Sequence, residues 1–466
     1  MAYPRKYPAA GWQVDDKDYN AIVDFCNGAT ATGTIAYPVS FTVRIVGGFY
    51  EAVNSVGVIV YGGFPTHGGV DGTNPSAVIQ ACIDALTSGG EIRIKAGTYP
   101  LPTTLTIFKK NNITIKGEGS GCNFRSEVTA DFAMTTLLIP LTPAPTQLIY
   151  IDRSYNIKIL NMAFEGNSWI ATAINCYDVH MLDISDNYFR GFINNFIALY
   201  SITATKYTAQ NWIMKNTFSL ETVGCVGIAL QGSLTGLHST EDTIIFSNWF
   251  FSEWTDRGYG VWFADPVGGI GSGFGWIDSI RVVHNGFYFL EKAIVINGDD
   301  GSIVDNNNFE GNTEDIVLSG GYNIKTHFWN NKNTDFTTPL VVTNGATAFT
   351  GEFVNNTGFR IEHHTASDTL KIVESGTIHT NLGAGGAITL TLPQDATIGC
   401  TFEFVVMTAQ ALRIDPGPVG AIYINGAKQT DDKYQWADDE GESVKLVADG
   451  NRDWIAIGTV GTWTSE

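Results

Sequence analysis

Between residues 184 and 309 the chain repeats one order of apolar and polar positions: an aliphatic, two residues, Asn, one residue, Phe. It reads Ile184-x-x-Asn187-x-Phe189, Ile213-x-x-Asn216-x-Phe218, Ile245-x-x-Asn248-x-Phe250, Val282-x-x-Asn285-x-Phe287 and Val304-x-x-Asn307-x-Phe309, with Ile159-x-x-Met162-x-Phe164 ahead of them. After each comes a short apolar run, FIALYS, GIALQG, GVWFAD, AIVING or DIVLSG. Such periodicity predicts stacked coils of parallel strands, each coil burying what its neighbours bury. Two strands per coil are recognisable and a third is poorly marked. The Phe and aliphatic positions then form interior columns. The Asn falls where the chain turns, and its amide can bond the backbone of the next coil about 4.8 Å away. Successive Asn residues are 29, 32, 37 and 22 positions apart. With about 22 as the bare coil, three coils carry insertions, mostly between the second strand and the next coil (SITATKYTAQNW, SLTGLHSTEDT, PVGGIGSGFGWIDS). Insertions from neighbouring coils emerge on one edge and form a wall, the usual place for binding.

Upstream, Asn74 fits a helix N-cap and Pro75 the first helical position. Val78, Ile79, Cys82, Ile83 and Leu86 then share one helical face, and Gly89-Gly90 stops the helix. A helix of this kind covers the open end of a solenoid. The segment 15–27 reads as a short helix and 1–55 as an attachment or neck segment. From about Thr365 the pattern becomes alternating strands separated by Gly, Asp and Pro turns, as in DTLKIVESGTIHTN, CTFEFVVM and DWIAIGTVGTW. The expected organisation is a neck at 1–55, a coil domain at 56–362 with its capping helix at 75–87, and a C-terminal β-sandwich at 363–466.

The order DGT, amphipathic helix, GTY between Gly68 and Tyr99 resembles the start of pectate-lyase-type β-helices, phage tailspikes included. The resemblance, extended by the repeats, covers about three quarters of the chain. It implies an all-β right-handed parallel β-helix carrying the helix cap and the sandwich. The ending WIAIGTVGTWT resembles the terminal strand of C-terminal domains in trimeric phage fibres and spikes. The resemblance therefore implies that the C-terminal domain serves trimerisation or a second sugar-binding surface, in a homotrimer attached to a virion baseplate or tail through its N-terminus, whose partner is a bacterial polysaccharide: capsule, exopolysaccharide or lipopolysaccharide.

Composition and charge narrow the field. The net charge is −20, from 27 Lys and Arg against 47 Asp and Glu, without a basic cluster. A nucleic-acid partner is not expected. Apolar residues make up 44%, yet no run of 18 apolar residues predicts a membrane span. The start MAYPRKYPAAGW lacks the apolar core of a secretory signal. Cys26, Cys82, Cys122, Cys176, Cys225 and Cys400 form no CxxC pair and read as free, buried thiols made in a reducing compartment. A virion part released by host lysis fits these features; an extracellular enzyme is the alternative.

Cleaving a polysaccharide calls for aromatic faces to stack on sugar rings and carboxyls to move protons. The stretch from Phe250 to Asp278 is densest in both. It offers Glu253, Asp256 and Asp265 as catalytic candidates, and Trp254, Arg257, Tyr259, Trp262 and Trp276 as substrate-binding ones. Glu221 joins the catalytic candidates because Glu221, Glu253 and Glu291 follow their repeat Phe at nearly equivalent positions. Stacking would space them at one or two coil heights, the range in which glycosidases hold their carboxyl pair. The alternatives are a solvated turn face for the acids and core or trimer contacts for Trp254 and Trp262. Val261 and Phe263 point one way and Trp262 the other, in an order the sequence leaves open. The expected activity is endo-acting glycoside hydrolysis; the alternatives are a lyase, a spike that only grips glycan, or a free pectate-lyase-like enzyme. No cofactor is expected. His363-His364 is a poor metal pair, because adjacent strand residues point to opposite faces.

Overall fold

In the computed structural model, the described residues are 39–120, 135–141, 145–168, 170–200, 208–232, 240–253, 257–264, 277–297, 301–319, 323–324, 326–333, 341–344, 348–349, 353–354, 356, 361–394, 396 and 398–466. They form a right-handed parallel β-helix followed by a two-sheet C-terminal domain. The chain visits three sheets in turn, for example through Asp183–Ser185, Tyr188–Arg190 and Asn195–Tyr200. The first sheet has 13 strands and the second and third have 9 each. Each coil thus has three strands where the sequence marks two clearly. The repeat spans the end of a first-sheet strand, a two-residue turn and the start of a second-sheet strand, which hides the boundary.

Register does what the spacing implies. Ile159, Ile184, Ile213, Ile245, Val282 and Val304 are successive partners in the first sheet. In the second sheet Phe164, Phe189, Phe218, Phe250, Phe287 and Phe309 stack with centroids 4.7–5.2 Å apart and ring planes within 9°. All six rings are fully buried.

The asparagines form a ladder. Asn248 Oδ1 accepts from Asn216 N (2.9 Å) and Asn216 Nδ2 (3.1 Å), and Asn248 Nδ2 donates to Ile213 O (2.8 Å). The same bonds recur at Asn216, Asn285 and Asn307. The turn is tight because the residue before each Asn is left-handed: Asp186, Lys215, Ser247, His284 and Asn306 have φ between 52° and 58°. The ladder runs on through Asn331 and Asn356, two rungs the sequence disguises by placing Phe328 and Phe353 at the aliphatic position and Asn333 and Gly358 at the Phe position.

The cap is as the sequence reads it. Helix α1 spans Pro75–Ala85, its N-cap Asn74 accepting from Ala77 N, and buries Val78, Ile79, Cys82 and Ile83. The 15–27 helix lies outside the described residues. Within the 1–55 segment, Val39–Val46 and Phe49–Asn54 pair antiparallel, and Val39–Val46 runs parallel to Gly90–Ile94, so these strands extend the first sheet.

Gaps of 7, 8 and 12 residues separate the third sheet from the next coil before Thr208–Ala209, Thr240–Glu241 and Ile277–Asp278; a longer one, 19 residues, lies between Asn111–Lys116 and Thr136–Pro140. These three short strands pair as a ribbon. The C-terminal sheets hold 7 and 5 strands. The first strands of this domain alternate between the sheets and pair in parallel; the later ones pair antiparallel except Ile422–Ile424 with Trp454–Val460, which are parallel. One apolar core runs from Val43 to Trp454. Cys82, Cys176 and Cys225 are free and buried, and Cys400 is buried; Cys26 and Cys122 lie outside the described residues.

Candidate functional site

Side chains leave this solenoid from two kinds of place: alternate strand positions, which point outward, and the corners between sheets. In the second sheet the residue after each repeat Phe points out, giving the series Glu165, Arg190, Ser219, Phe251, Tyr288 and Glu310. Its first three members meet Glu221, which lies on the corner leading to the third sheet. Arg190 Nε is 3.2 Å from Glu165 Oε2 and 3.9 Å from Glu221 Oε1. These two oxygens are therefore no farther apart than the sum of those distances, about 7 Å. Ser219 Oγ donates to Glu221 Oε1 at 2.9 Å.

The two carboxyls differ in environment. Glu165 accepts Asn167 N at 3.0 Å. Burial pushes its pKa up, against the pull of that N–H and of Arg190; the Glu221 charge adds to the rise. Gly191 makes room for it, since a Cβ there would run into Glu165 Oε1. Beside them the Tyr188 hydroxyl is pushed up to about 12, mainly by burial. A carboxyl with a raised pKa, within reach of a second carboxyl, is the pairing that general acid catalysis uses.

The described part of the 250–278 stretch is divided between a corner and a sheet face. Glu253 is exposed on the corner between second and third sheets. Arg257 follows on the same corner and donates from Nη1 to the Glu221 backbone carbonyl at 3.0 Å. Tyr259 and Trp262 belong to the third-sheet strand Tyr259–Ala264. Val261 and Phe263 are fully buried, so Trp262 faces outward, which settles the order left open by the sequence. Its ring meets Tyr259 edge-on at 5.8 Å, and both pack over Ala198, Val226 and Ala229. Trp254, Asp256, Asp265 and Trp276 lie outside the described residues. Glu291 occupies the corner one coil on, its Oε1 accepting from Tyr259 Oη at 3.2 Å.

Two features were missed in the sequence. Glu165 is one; its signal was available, since it follows a repeat Phe by one residue as Arg190 does. The other is an aromatic strip on the third sheet, where Tyr177 stacks on Tyr200 at 4.9 Å and meets Tyr150 at a tilt at 5.4 Å. Tyr177 and Tyr200 close the strands TAINCY and NFIALY, Tyr150 stands two residues before the end of QLIYID, and only the pairing brings them together. On the first sheet, Asp242, Ile244, Ser279, Arg281 and Ile303 line a cavity of about 310 Å³. No helix among the described residues is long and apolar enough to cross a membrane.

Neither a family profile nor any curated protein matches this sequence. Among solved structures, it is similar to a hyperthermoactive exopolygalacturonase from Thermotoga maritima, with 12% identity over 78% of this chain and 90% of that one and a TM-score of 0.45. It is similar also to the tailspike protein of E. coli bacteriophage HK620 in complex with pentasaccharide (11%, 88% and 91%, TM-score 0.37). A third is the catalytic domain of a GH87 alpha-1,3-glucanase in complex with tetrasaccharides (13%, 61% and 67%, TM-score 0.35). None of these overlays reaches a TM-score of 0.5; the fold above stands on the chain's own strand pairing.

Proposed function

We propose that this chain binds a bacterial surface polysaccharide along the outer corner between its second and third sheets and hydrolyses it. The observation that carries this is the convergence of Glu165 and Glu221 on Arg190, with Glu165 disposed by burial to keep its proton. Glu165 would protonate the glycosidic oxygen as the bond breaks. Glu221 would act on the sugar's other side, as nucleophile at about 5–5.5 Å or as base for a water at about 6.5 Å or more. The limit of about 7 Å admits both. The tyrosine strip, Tyr259 and Trp262 supply faces for sugar rings, and Arg257 and Glu253 flank the path. Asp256, Asp265, Trp254 and Trp276 keep the roles their sequence positions suggest.

The test is new reducing ends when the purified chain meets capsule or lipopolysaccharide. Turnover falls about 10²–10⁴-fold in Glu165→Gln and in Glu221→Gln, and in the native chain it falls as pH rises through the elevated Glu165 value. Full activity in both variants would remove this pair. Loss in Glu253→Gln alone would move the chemistry one coil along. The anomer released first separates the two mechanisms, and an unsaturated-sugar absorbance would mark a lyase.

A second reading is favoured by Arg190 itself: a guanidinium between two carboxylates also suits a spike that grips glycan without cutting it. Binding with no product of either kind would establish that reading. We further propose a homotrimer on a virion tail, attached through the N-terminal segment and released at lysis. The exposed row Ile455, Ile457 and Val460 on the strand Trp454–Val460 supports self-association. A solution mass other than three chains would refute the trimer.

A further inference from the structure

The C-terminal domain begins with the strand Ile361–His363, which pairs in parallel with Ile378–Thr380 so that Glu362 is the register partner of His379. His364 lies two residues beyond Glu362 and so shares its face, while His363 points the other way. His363 is accordingly exposed, its Nδ1 2.7 Å from Thr380 Oγ1. On the inner face one ligand atom from each of Glu362, His364 and His379 lies within 4.8 Å of the other two. His364 Nε2 and His379 Nδ1 are 2.9 Å apart. Both imidazoles are buried, His379 fully and His364 at 6% exposure. The rings of Phe402 and Phe404 wall them in, with centroids 5.4 and 5.6 Å from His379.

We propose that Glu362, His364 and His379 bind one divalent first-row cation, Zn²⁺ by donor preference, that staples the paired strands Ile361–His363 and Ile378–Thr380. Two nitrogens and an oxygen suit zinc. Tetrahedral zinc with bonds of about 2.0–2.1 Å holds its nitrogens about 3.3 Å apart, so the imidazoles need to part by only a few tenths of an ångström. The outer shell is present too: Asp368 Oδ2 lies 3.6 Å from His364 Nδ1, the ring nitrogen facing away from His379. A carboxylate there fixes the tautomer that leaves Nε2 free to ligate. Three protein ligands leave a fourth position for water. Asp368 is a positioning residue.

The experiment uses the full chain, stripped with chelator, incubated with Zn²⁺ and desalted. The expected result is one zinc per chain by elemental analysis, with a Tm several degrees above the stripped form. His364→Gln and His379→Gln abolish both effects, and His363→Gln changes neither. Asp368→Asn, which leaves the ligands in place, weakens zinc binding by about 10–100-fold. This variant keeps the test informative should a ligand substitution impair folding, which far-UV circular dichroism reports. Binding also weakens as pH falls, because the imidazoles must be neutral. No retained zinc with no change in Tm would overturn the site and leave a pair of imidazoles sharing a proton. Zinc retained undiminished in folded His364→Gln and His379→Gln would overturn it equally.

Discussion

Replacing Asn248 by alanine isolates one rung of the ladder. The side chain makes four bonds, to Asn216 N, Asn216 Nδ2, Ile213 O and Asn285 Oδ1. Two partners survive its loss: Asn216 Nδ2 keeps Ile184 O at 2.7 Å, and Asn285 Oδ1 keeps Asn248 N at 2.9 Å. The Asn216 N–H and the Ile213 carbonyl are each left without this buried partner, at about 1–3 kcal/mol apiece. A midpoint of about 4 kcal/mol, set against an unfolding entropy of about 2 cal/mol/K per residue over the whole chain, lowers Tm by about 4 °C. The shift is larger if fewer coils melt together, as solenoids allow. Thermal unfolding followed by circular dichroism reads it. Asn248→Asp adds a signature: it can still accept from Asn216, but it cannot donate and its charge faces Asn285 Oδ1. It should be worse than alanine at pH 7 and improve on acidification. If Asn248→Ala melts within about 1 °C of the parent, the ladder does not hold the coils in register and the reasoning fails.

Two more outcomes follow from close packing and burial. In Gly260→Ala the new Cβ would lie 2.5 Å from the Ala293 carbonyl and 2.7 Å from the Phe287 ring; overpacking of about 1–3 kcal/mol should appear as a lower Tm, and an unchanged Tm would show that the Phe column yields. Asp183 has its pKa raised by burial, against Ser185 and Lys158; the folded state therefore holds this proton more tightly than the unfolded one, and stability is lost as pH rises from about 4 through the raised value. Asp183→Asn removes that loss, so its Tm should gain on the parent between pH 4 and 7, and a gain that does not grow with pH would contradict the assignment.

Much of the solenoid was legible because its code is local and repeated. A buried Phe at a fixed distance from a buried Asn in each coil leaves one economical solution, stacking, and Asn74-Pro75 with a five-residue apolar face fixes the cap. Legibility failed where the code is broken. Asn331 and Asn356 continue the ladder without the flanking residues that announce it, and the two-residue turn at Asp186-Asn187 is too short to divide one strand from the next by eye.

For the candidate site, sequence density misled. Glu253 and Trp262 are near in sequence, yet one belongs to a corner and the other to a sheet face; Glu165 and Glu221 are 56 positions apart and share a guanidinium. What the sequence determined by itself is the axis of the molecule, since a repeated set of buried side chains dictates which residues lie above one another. What only the tertiary structure decided is who meets whom sideways: Glu165 with Arg190 and Glu221, the three tyrosines, His364 with His379. Those meetings depend on how many residues each corner consumes and on which strand face points out. A polar residue on an outward face carries no apolar burial that would register its position in the pattern of the chain.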